Sequence, residues 1–170
     1  SGYSGGGKKM IAEYESAERL AHSKLDAPKS YGLGLGHKHL PEMQKISGLA
    51  HTPMFVPVVC DYYCGMQVLV PLDLKLAGTT AEAVAAGIAD YYKDAATVKV
   101  HALNEALPEN GLYSGAMAGT DRMELYLTVN AAGDQMMLVS LFDNLGKGSS
   151  GAALQCMNLM LGLDETAGLE

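Results

Sequence analysis

Residues 123–142, which read MELYLTVNAAGDQMMLVSLF, carry the clearest signal of the fold. Apolar and polar side chains alternate from Met123 to Val129, which is the period of a strand with one buried face. The next residues, Ala131-Ala132-Gly133-Asp134, are typical of a turn, and a second apolar run follows them. Two strands joined by a short turn predict an antiparallel hairpin.

Further strands and one helix are predicted before this hairpin. Residues 66–74 alternate imperfectly and contain Pro71, which indicates an edge strand or a bulge. Thr79 or Thr80 can cap a helix that runs to about Lys93, and residues 98–103 predict a short strand. Strands that meet through hairpins, with few helices between them, predict an α+β domain with a mostly antiparallel sheet and helices on one face.

The remaining segments predict three more elements. Pro41 is expected to open a short helix that extends to about Ala50, and residues 54–60 read as a buried strand. Residues 147–161 predict a helix that is apolar nearly all round, and such a helix needs cover on more than one side. It is either the central core helix of this domain or packs against a second domain or subunit, and we favour the second.

Composition limits the classes of function. The chain has 170 residues, 48% of them hydrophobic, which is enough for a sizeable core. A net charge of −7 leaves no basic stripe for nucleic acid. The sequence has neither a signal peptide nor an apolar run long enough to span a membrane, so we expect a cytoplasmic protein. The spacing of Cys60, Cys64 and Cys156 matches no zinc pattern and indicates reduced thiols.

Residues 36–42, GHKHLPE, bring two imidazoles and a carboxylate close together. If Pro41 opens a helix, His39 lies just before it and Glu42 lies in its first turn, near the positive end of the helix dipole. A carboxylate bonded to one ring nitrogen would leave the other nitrogen available for proton transfer. Three interpretations stay open at this point: acid/base chemistry, a metal site formed by His37, His39 and Glu42, or ordinary surface histidines.

A glycine-rich segment, SGYSGGGKK at residues 1–9, is the second candidate site. Backbone N–H groups of such a turn can bind an anion, and Lys8 would add positive charge. A flexible linker is the alternative, since no dinucleotide or P-loop fingerprint is present. Because the sequence begins with Ser1, we expect it to be a piece of a longer or processed protein.

Several separated motifs together resemble one enzyme family. They are SGYSGGGK at residues 1–8, GHKHLPE at 36–42, FDNLGKG at 142–148 and QCMNLMLGL at 155–163, and ETAGL at 165–169 is similar to the family's C-terminus. In this order they resemble N-acetyl-γ-glutamyl-phosphate reductase of arginine biosynthesis, from the first residue to the last.

The resemblance implies the C-terminal half of an NADPH-dependent reductase, with a glyceraldehyde-3-phosphate-dehydrogenase-like α+β fold. In that reaction a cysteine thiolate attacks an acyl phosphate, phosphate leaves, and hydride reduces the thioester to an aldehyde through a thiohemiacetal. The family's Gly-Cys-Tyr-Pro motif is not in this sequence, so none of its three cysteines should take that role. Residues 1–143 would form the substrate-binding and dimerisation domain, and 144–170 would pack on the nucleotide-binding domain. The chain alone would be inactive.

The resemblance also implies the residues of the site. His39 would handle the hydroxyl proton of the thiohemiacetal, with Glu42 orienting it and His37 as a second catalytic residue, although the choice between the histidines is open. Residues implied beside NADP(H) are Ser4, Gly5, Asn144, Lys147 and Gly148. Cys64-Gly65 stands where many relatives have Arg-Gly, so Lys8, Lys38 or Arg122 would bind the anionic substrate groups instead. No metal is implied.

Some alternatives stay open. The substrate is either the acetylglutamyl phosphate or the carrier-linked aminoadipyl phosphate of similar enzymes, and the number of subunits in the expected homo-oligomer is not fixed. Two rival functions remain: the chain is a metal-binding protein, or it is a noncatalytic module for dimerisation or small-molecule binding.

Overall fold

The structure is a computed structural model that describes residues 1–21 and 23–170. These residues form two units, one made of Ser1 and Tyr3–Tyr63 and the other of Gly2 and Cys64–Glu170. Within the two described ranges, no helix combines the length and the apolar character that crossing a membrane requires. The predicted boundary between residues 143 and 144 concerns docking on a further domain, and it stays a prediction.

The first unit contains only short elements. Its regular elements are α1 (Lys8–Tyr14), β1 (Lys29–Ser30), α2 (Leu40–Ser47) and β2 (Val58–Val59). Strands β1 and β2 pair antiparallel. Tyr14 is 1% exposed and its ring stacks on that of Tyr3, with centroids 4.8 Å apart. Tyr14 is therefore part of the core of this unit.

Helix α2 begins as predicted but ends early. His39 is its N-cap residue, and Pro41 and Glu42 lie in its first turn. Gly48, with a left-handed φ of 69°, ends the helix at Ser47 rather than at Ala50.

The prediction of a buried strand over residues 54–60 is wrong except at β2. Met54 is 86% exposed and Val56 is 52% exposed. Pro53 and Pro57 lack the N–H groups that a sheet ladder needs, which explains why the apolar run does not pair as a strand.

The second unit is built on a four-stranded sheet in the order β3–β6–β5–β4. Its strands are β3 (Met66–Asp73), β4 (Val98–Val100), β5 (Met123–Val129) and β6 (Gln135–Phe142). The predicted β5–β6 hairpin is confirmed, with Met123 opposite Phe142 and Val129 opposite Met136. Strand β3 is also antiparallel to β6, whereas the short β4 runs parallel to β5.

Strand alternation sends apolar side chains to both faces of this sheet. Helices α3 (Leu74–Ala77) and α4 (Ala81–Tyr92) cover one face. The buried side chains on that face are Leu74, Ala81, Leu127 and Met136. On the other face, Tyr126, Val139 and Leu141 pack against Leu112 and Met117, which lie in irregular structure. The α+β class with helices on one face is therefore confirmed.

Helix α4 confirms its prediction closely. The side chain of Thr80 accepts a hydrogen bond from the N–H of Ala83 at 3.2 Å, so it caps the helix. Val84 and Ile88 pack on the sheet, whereas Tyr91 is 80% exposed.

Strand β3 lies at the edge of the sheet, as Pro71 indicated. Its apolar residues Val68, Leu69 and Val70 are 36%, 55% and 39% exposed. A long, apolar and exposed edge strand is a ready site for association.

The last helix starts with a π-helical turn, Gly146–Ser150, and continues as α5 (Gly151–Leu161). Asn158 is 2% exposed, and its Nδ2 donates to the carbonyls of Glu165 and Ala167 at 3.3 and 2.9 Å. These bonds fold the C-terminal residues back on the helix. Other large side chains are exposed: Met157, Leu159, Met160, Leu161 and Leu163. Helix α5 is therefore not the central core helix of this unit, and its docking on another domain stays a prediction.

Candidate functional site

The two histidines at the start of α2 lie in different surroundings. The half-buried ring of His37 contacts the rings of Phe55 and His39, with centroids 5.1 and 4.7 Å apart. Its Nδ1 accepts a hydrogen bond from the backbone N–H of His39 at 3.2 Å. Because an accepting nitrogen carries no proton, the neutral ring of His37 has its proton on Nε2.

Their electrostatics differ as well. Burial, together with the neighbouring His39 and Lys38, lowers the pKa of His37. His37 is therefore a neutral ring with one N–H to offer. The side chain of His39 is exposed, so it can exchange protons with solvent or with a bound substrate. The two rings lie side by side at the start of α2.

Glu42 is placed in the first turn of α2 with an exposed side chain. In the part of the chain that the structure describes, it makes no hydrogen bond to either ring. Its role in orienting His39 stays a prediction. Among residues 1–21 and 23–170, no three or more His, Cys, Asp or Glu side chains lie close enough together to hold a metal ion. His37, His39 and Glu42 are therefore not arranged as metal ligands.

The glycine-rich segment forms a 3-10 turn over Tyr3–Gly6. The N–H groups of Tyr3 and Ser4 donate to the carbonyls of Tyr62 and Tyr63 at 2.8 and 3.1 Å, and Gly7 donates to Ser4. These N–H groups are engaged within the chain, so they are not directed at an anion. Ser4 is 6% exposed, whereas Gly5 and Lys8 are exposed.

The other predicted cofactor residues lie between β6 and α5. Asn144 is buried, and its Oδ1 accepts a hydrogen bond from the N–H of Gly65 at 2.8 Å. The Nζ of Lys147 donates to Thr97 Oγ1 at 2.7 Å and to Gln155 Oε1 at 2.6 Å. Burial lowers the pKa of Lys147. Both polar groups thus hold the second unit together.

A buried histidine that the sequence analysis missed lies at the end of β4. His101 is 6% exposed, and its Nδ1 and Nε2 lie 2.8 and 3.0 Å from carboxylate oxygens of Glu105 and Glu124. Its ring stacks on Tyr126, whose hydroxyl donates to Glu124 at 2.7 Å. Only the register of β4 on β5 brings these residues together, and no local pattern in the sequence reveals that register.

The carboxylates of this cluster make the second unit sensitive to acid. The hydrogen bond from His101 lowers the pKa of Glu105. Burial acts to raise the pKa of Glu124, but the hydrogen bonds from Tyr126 and His101 outweigh burial and lower that pKa. A carboxylate whose pKa is lower in the folded state than in the unfolded state stabilises the fold at pH values above its unfolded-state pKa. This stabilisation is lost as the pH falls through the folded-state pKa. Burial, together with the hydrogen bond to Glu124, raises the pKa of Tyr126 to about 12.

We therefore expect the free energy of unfolding to fall as the pH drops below the ordinary glutamate value of 4.5. His101→Gln should make this dependence shallower, because one side-chain amide cannot replace both ring nitrogens that face the two carboxylates. Urea denaturation at a series of pH values measures the effect, with His51→Gln, at an exposed position, as the matched control. Equal slopes for His101→Gln and the unsubstituted chain would contradict the expectation.

Comparisons with known proteins give the family. The family model for the semialdehyde dehydrogenase dimerisation domain matches residues 1–144. The chain is 43% identical over 169 residues to an N-acetyl-γ-glutamyl-phosphate reductase of Burkholderia cenocepacia (strain HI2424), covering 98% of the chain and 53% of that protein. The reductase of Trichormus variabilis is 42% identical, with 99% and 55% covered. The reductase of Rhizobium meliloti is 43% identical, and the match covers 95% of this chain and 52% of that protein. The chain thus spans about half the length of the curated relatives it matches.

Solved structures agree on the fold. Aspartate semialdehyde dehydrogenase II from Vibrio cholerae matches with a TM-score of 0.59 at 17% identity, over 95% of this chain and 52% of that one. Its complex with ASA gives a TM-score of 0.60. At this identity the likeness shows the fold alone, and it confirms the glyceraldehyde-3-phosphate-dehydrogenase-like class. On the family match and the shared fold, the chain belongs to the semialdehyde dehydrogenase dimerisation-domain family.

Proposed function

We propose that residues 1–170 act as the C-terminal part of a cytoplasmic N-acetyl-γ-glutamyl-phosphate reductase. The observation that carries this proposal is the identity of 43% to a reductase of that name over 98% of the chain. The enzyme would reduce N-acetyl-γ-glutamyl phosphate to N-acetylglutamate semialdehyde and release phosphate. Because the relatives compared above share this name, the acetylglutamyl substrate is favoured over a carrier-linked aminoadipyl phosphate.

The chain's own contribution is acid/base chemistry at the start of α2. The exposed ring of His39 handles the hydroxyl proton of the thiohemiacetal, because imidazole is the side chain that most often acts as a general acid or base. The Nε2–H of His37 donates a hydrogen bond to a substrate oxygen. The ring centroids are 4.7 Å apart, so both histidines can serve one reacting group. The exposed ammonium groups of Lys38 and Lys8 are the candidates for the substrate's anionic groups.

The nicotinamide cofactor NADP(H) would supply hydride, held mainly by the nucleotide-binding part of the enzyme. The five residues proposed beside it fit a secondary contact. Ser4, Asn144 and Lys147 are buried or engaged in the chain's own hydrogen bonds, whereas Gly5 and Gly148 are exposed and carry no side chain. Such backbone can lie against a cofactor ring, but it does not provide a phosphate site.

The thiols of the chain are poor candidates for the nucleophile. Burial, together with Asp143, raises the pKa of Cys64, and a thiol with a raised pKa is a weak nucleophile at neutral pH. Cys60 is half-buried and Cys156 is exposed on α5. The proposal therefore takes the thioester-forming cysteine from outside residues 1–170.

Trapping the acyl-enzyme tests this proposal. A full-length reductase that contains residues 1–170 is mixed with labelled N-acetyl-γ-glutamyl phosphate without cofactor, then digested and examined by mass spectrometry. We expect one phosphate released per subunit, and the acyl label on a cysteine outside residues 1–170. A label on Cys60, Cys64 or Cys156, or no acylation, would reject the proposal.

The same enzyme is proposed to be a homo-oligomer. The family description of a dimerisation domain over residues 1–144 supports this, and so does the exposed apolar edge strand β3. A second copy of the chain would cover Val68, Leu69 and Val70, which are exposed in the single chain.

A further inference from the structure

Asp143, at the end of β6, is a buried carboxylate that the proposed reaction does not use. It is 3% exposed. Its oxygens accept hydrogen bonds from the N–H of Gly119 at 2.6 Å and from the N–H of Leu145 at 2.8 Å. The N–H of Gly146 and the thiol of Cys64 lie near this carboxylate and help to lower its pKa. Two backbone N–H groups from separate segments thus end on one buried carboxylate.

The donors come from three separate segments of the second unit. Cys64 precedes β3, Gly119 belongs to irregular structure before β5, and Leu145 and Gly146 begin the helical segment that leads into α5. N–H groups at the start of a helix have no partner inside the helix, so an acceptor there fixes where the helix begins. Asp143 therefore sets the start of this segment against the end of the sheet.

Main-chain contacts reinforce the same turn. The carbonyl of Asp143 accepts from the N–H of Gly148 at 2.8 Å. A Cβ at Gly146 would lie 2.3 Å from the carbonyl oxygen of Thr120, so this backbone is packed too closely for a side chain. Residues 144–148 are thus held by Asp143 on one side and by Thr120 on the other.

The carboxylate is suited to this role because it is ionised. Burial acts to raise the pKa of Asp143, but the hydrogen bonds from Leu145, Gly119 and Cys64 outweigh burial and hold the pKa below its usual value. An ionised carboxylate can only accept hydrogen bonds, and the groups around Asp143 are hydrogen-bond donors.

We propose that Asp143 is a positioning residue, which fixes the turn of residues 144–148 so that Asn144 and Gly148 keep one arrangement beside the cofactor. It acts through this backbone, since it is too buried to touch a ligand itself. This inference rests on the proposed function for its catalytic consequence, but its structural part does not.

The first test uses Asp143→Asn in a full-length reductase that contains residues 1–170. Asparagine keeps the shape but offers an NH₂ donor where the turn also presents donors. We expect kcat/KM for the cofactor to fall about tenfold to a hundredfold, as misplacement of a positioning group does, with KM for the acyl phosphate within about twofold. Asp164→Asn is the matched control, because Asp164 accepts from the N–H of Thr166 at 2.8 Å in an exposed turn. A less stable Asp143→Asn enzyme with unchanged cofactor kinetics would show a merely structural role and overturn the proposal.

The second test does not depend on activity. With Cys60 and Cys156 replaced by serine in the full-length protein, mass spectrometry of the peptide that contains Cys64 gives the pH profile of alkylation at this thiol, apart from the cysteines outside residues 1–170. Asp143→Asn should shift the midpoint to lower pH, because the thiolate no longer faces a carboxylate, whereas Asp143→Glu, which keeps the charge, should stay closer to the unsubstituted profile. An unchanged midpoint in Asp143→Asn would overturn the contact on which the proposal rests. If the full-length protein has no reductase activity, the proposed function fails, while this measurement still decides whether Asp143 holds its neighbours.

Discussion

Gly65→Ala is expected to destabilise the second unit strongly. Gly65 has a φ of +115°, and a Cβ there would lie 2.5 Å from the carbonyl oxygen of Ser114 and 2.9 Å from the Cα of Gly115. We expect a loss of about 2–6 kcal/mol in the free energy of unfolding, from backbone strain of about 1–3 and overpacking of about 1–3 kcal/mol. Any shift that relieves the clash also weakens the bond from the N–H of Gly65 to Asn144.

Gly133→Ala separates the two causes. Gly133 has a φ of +71° in the β5–β6 turn, and a Cβ there meets nothing within 4 Å. It should therefore lose only the strain contribution, about 1 kcal/mol. Urea denaturation followed by circular dichroism measures both variants. Equal losses for the two glycines would contradict the close approach at Gly65.

His39→Asn should have the largest effect on activity. Asparagine is similar in size and polar, but it cannot exchange a proton near neutral pH. In a full-length reductase that contains residues 1–170, we expect kcat to fall about 10²- to 10⁴-fold, the usual contribution of a general acid or base. KM for the semialdehyde should change little, because the interaction is made in the transition state.

Two companion variants sharpen this prediction. His51→Asn changes an exposed histidine in the same unit and should leave kcat unaltered. His37→Asn removes the Nε2–H donor and should lower kcat less than His39→Asn. Unchanged turnover in His39→Asn would reject its role, and a loss confined to His37→Asn would transfer the acid/base function to His37.

The fold was predictable where local periodicity agrees with tertiary packing. Alternation from Met123 to Val129 specified the hairpin, and Thr80 with a helical apolar face specified α4. Residues 54–60 show the opposite case, since an apolar run between Pro53 and Pro57 lacks the N–H groups of a ladder. The parallel pairing of β4 with β5 could not be read from a three-residue strand.

The site was predictable in part, for a similar reason. Residues 36–42 could be recognised as a candidate site because His37, His39 and Glu42 are neighbours in sequence. The position of His39 at the N-cap of α2 follows from Pro41. The tautomer of His37 was not predictable, because it depends on one backbone N–H. The contacts of Asp143 and His101 join residues far apart in sequence, so only the folded chain reveals them.

In the proposed reductase, this chain supplies the imidazole and part of the pocket, while the thiol and the hydride come from elsewhere in the enzyme. The most direct measurement is NADPH formation from NADP⁺, N-acetylglutamate semialdehyde and phosphate, monitored at 340 nm. We expect no NADPH with residues 1–170 alone. With the full-length reductase, we expect NADPH formation that requires both semialdehyde and phosphate. Turnover by residues 1–170 alone, or none by the full-length protein, would contradict this expectation.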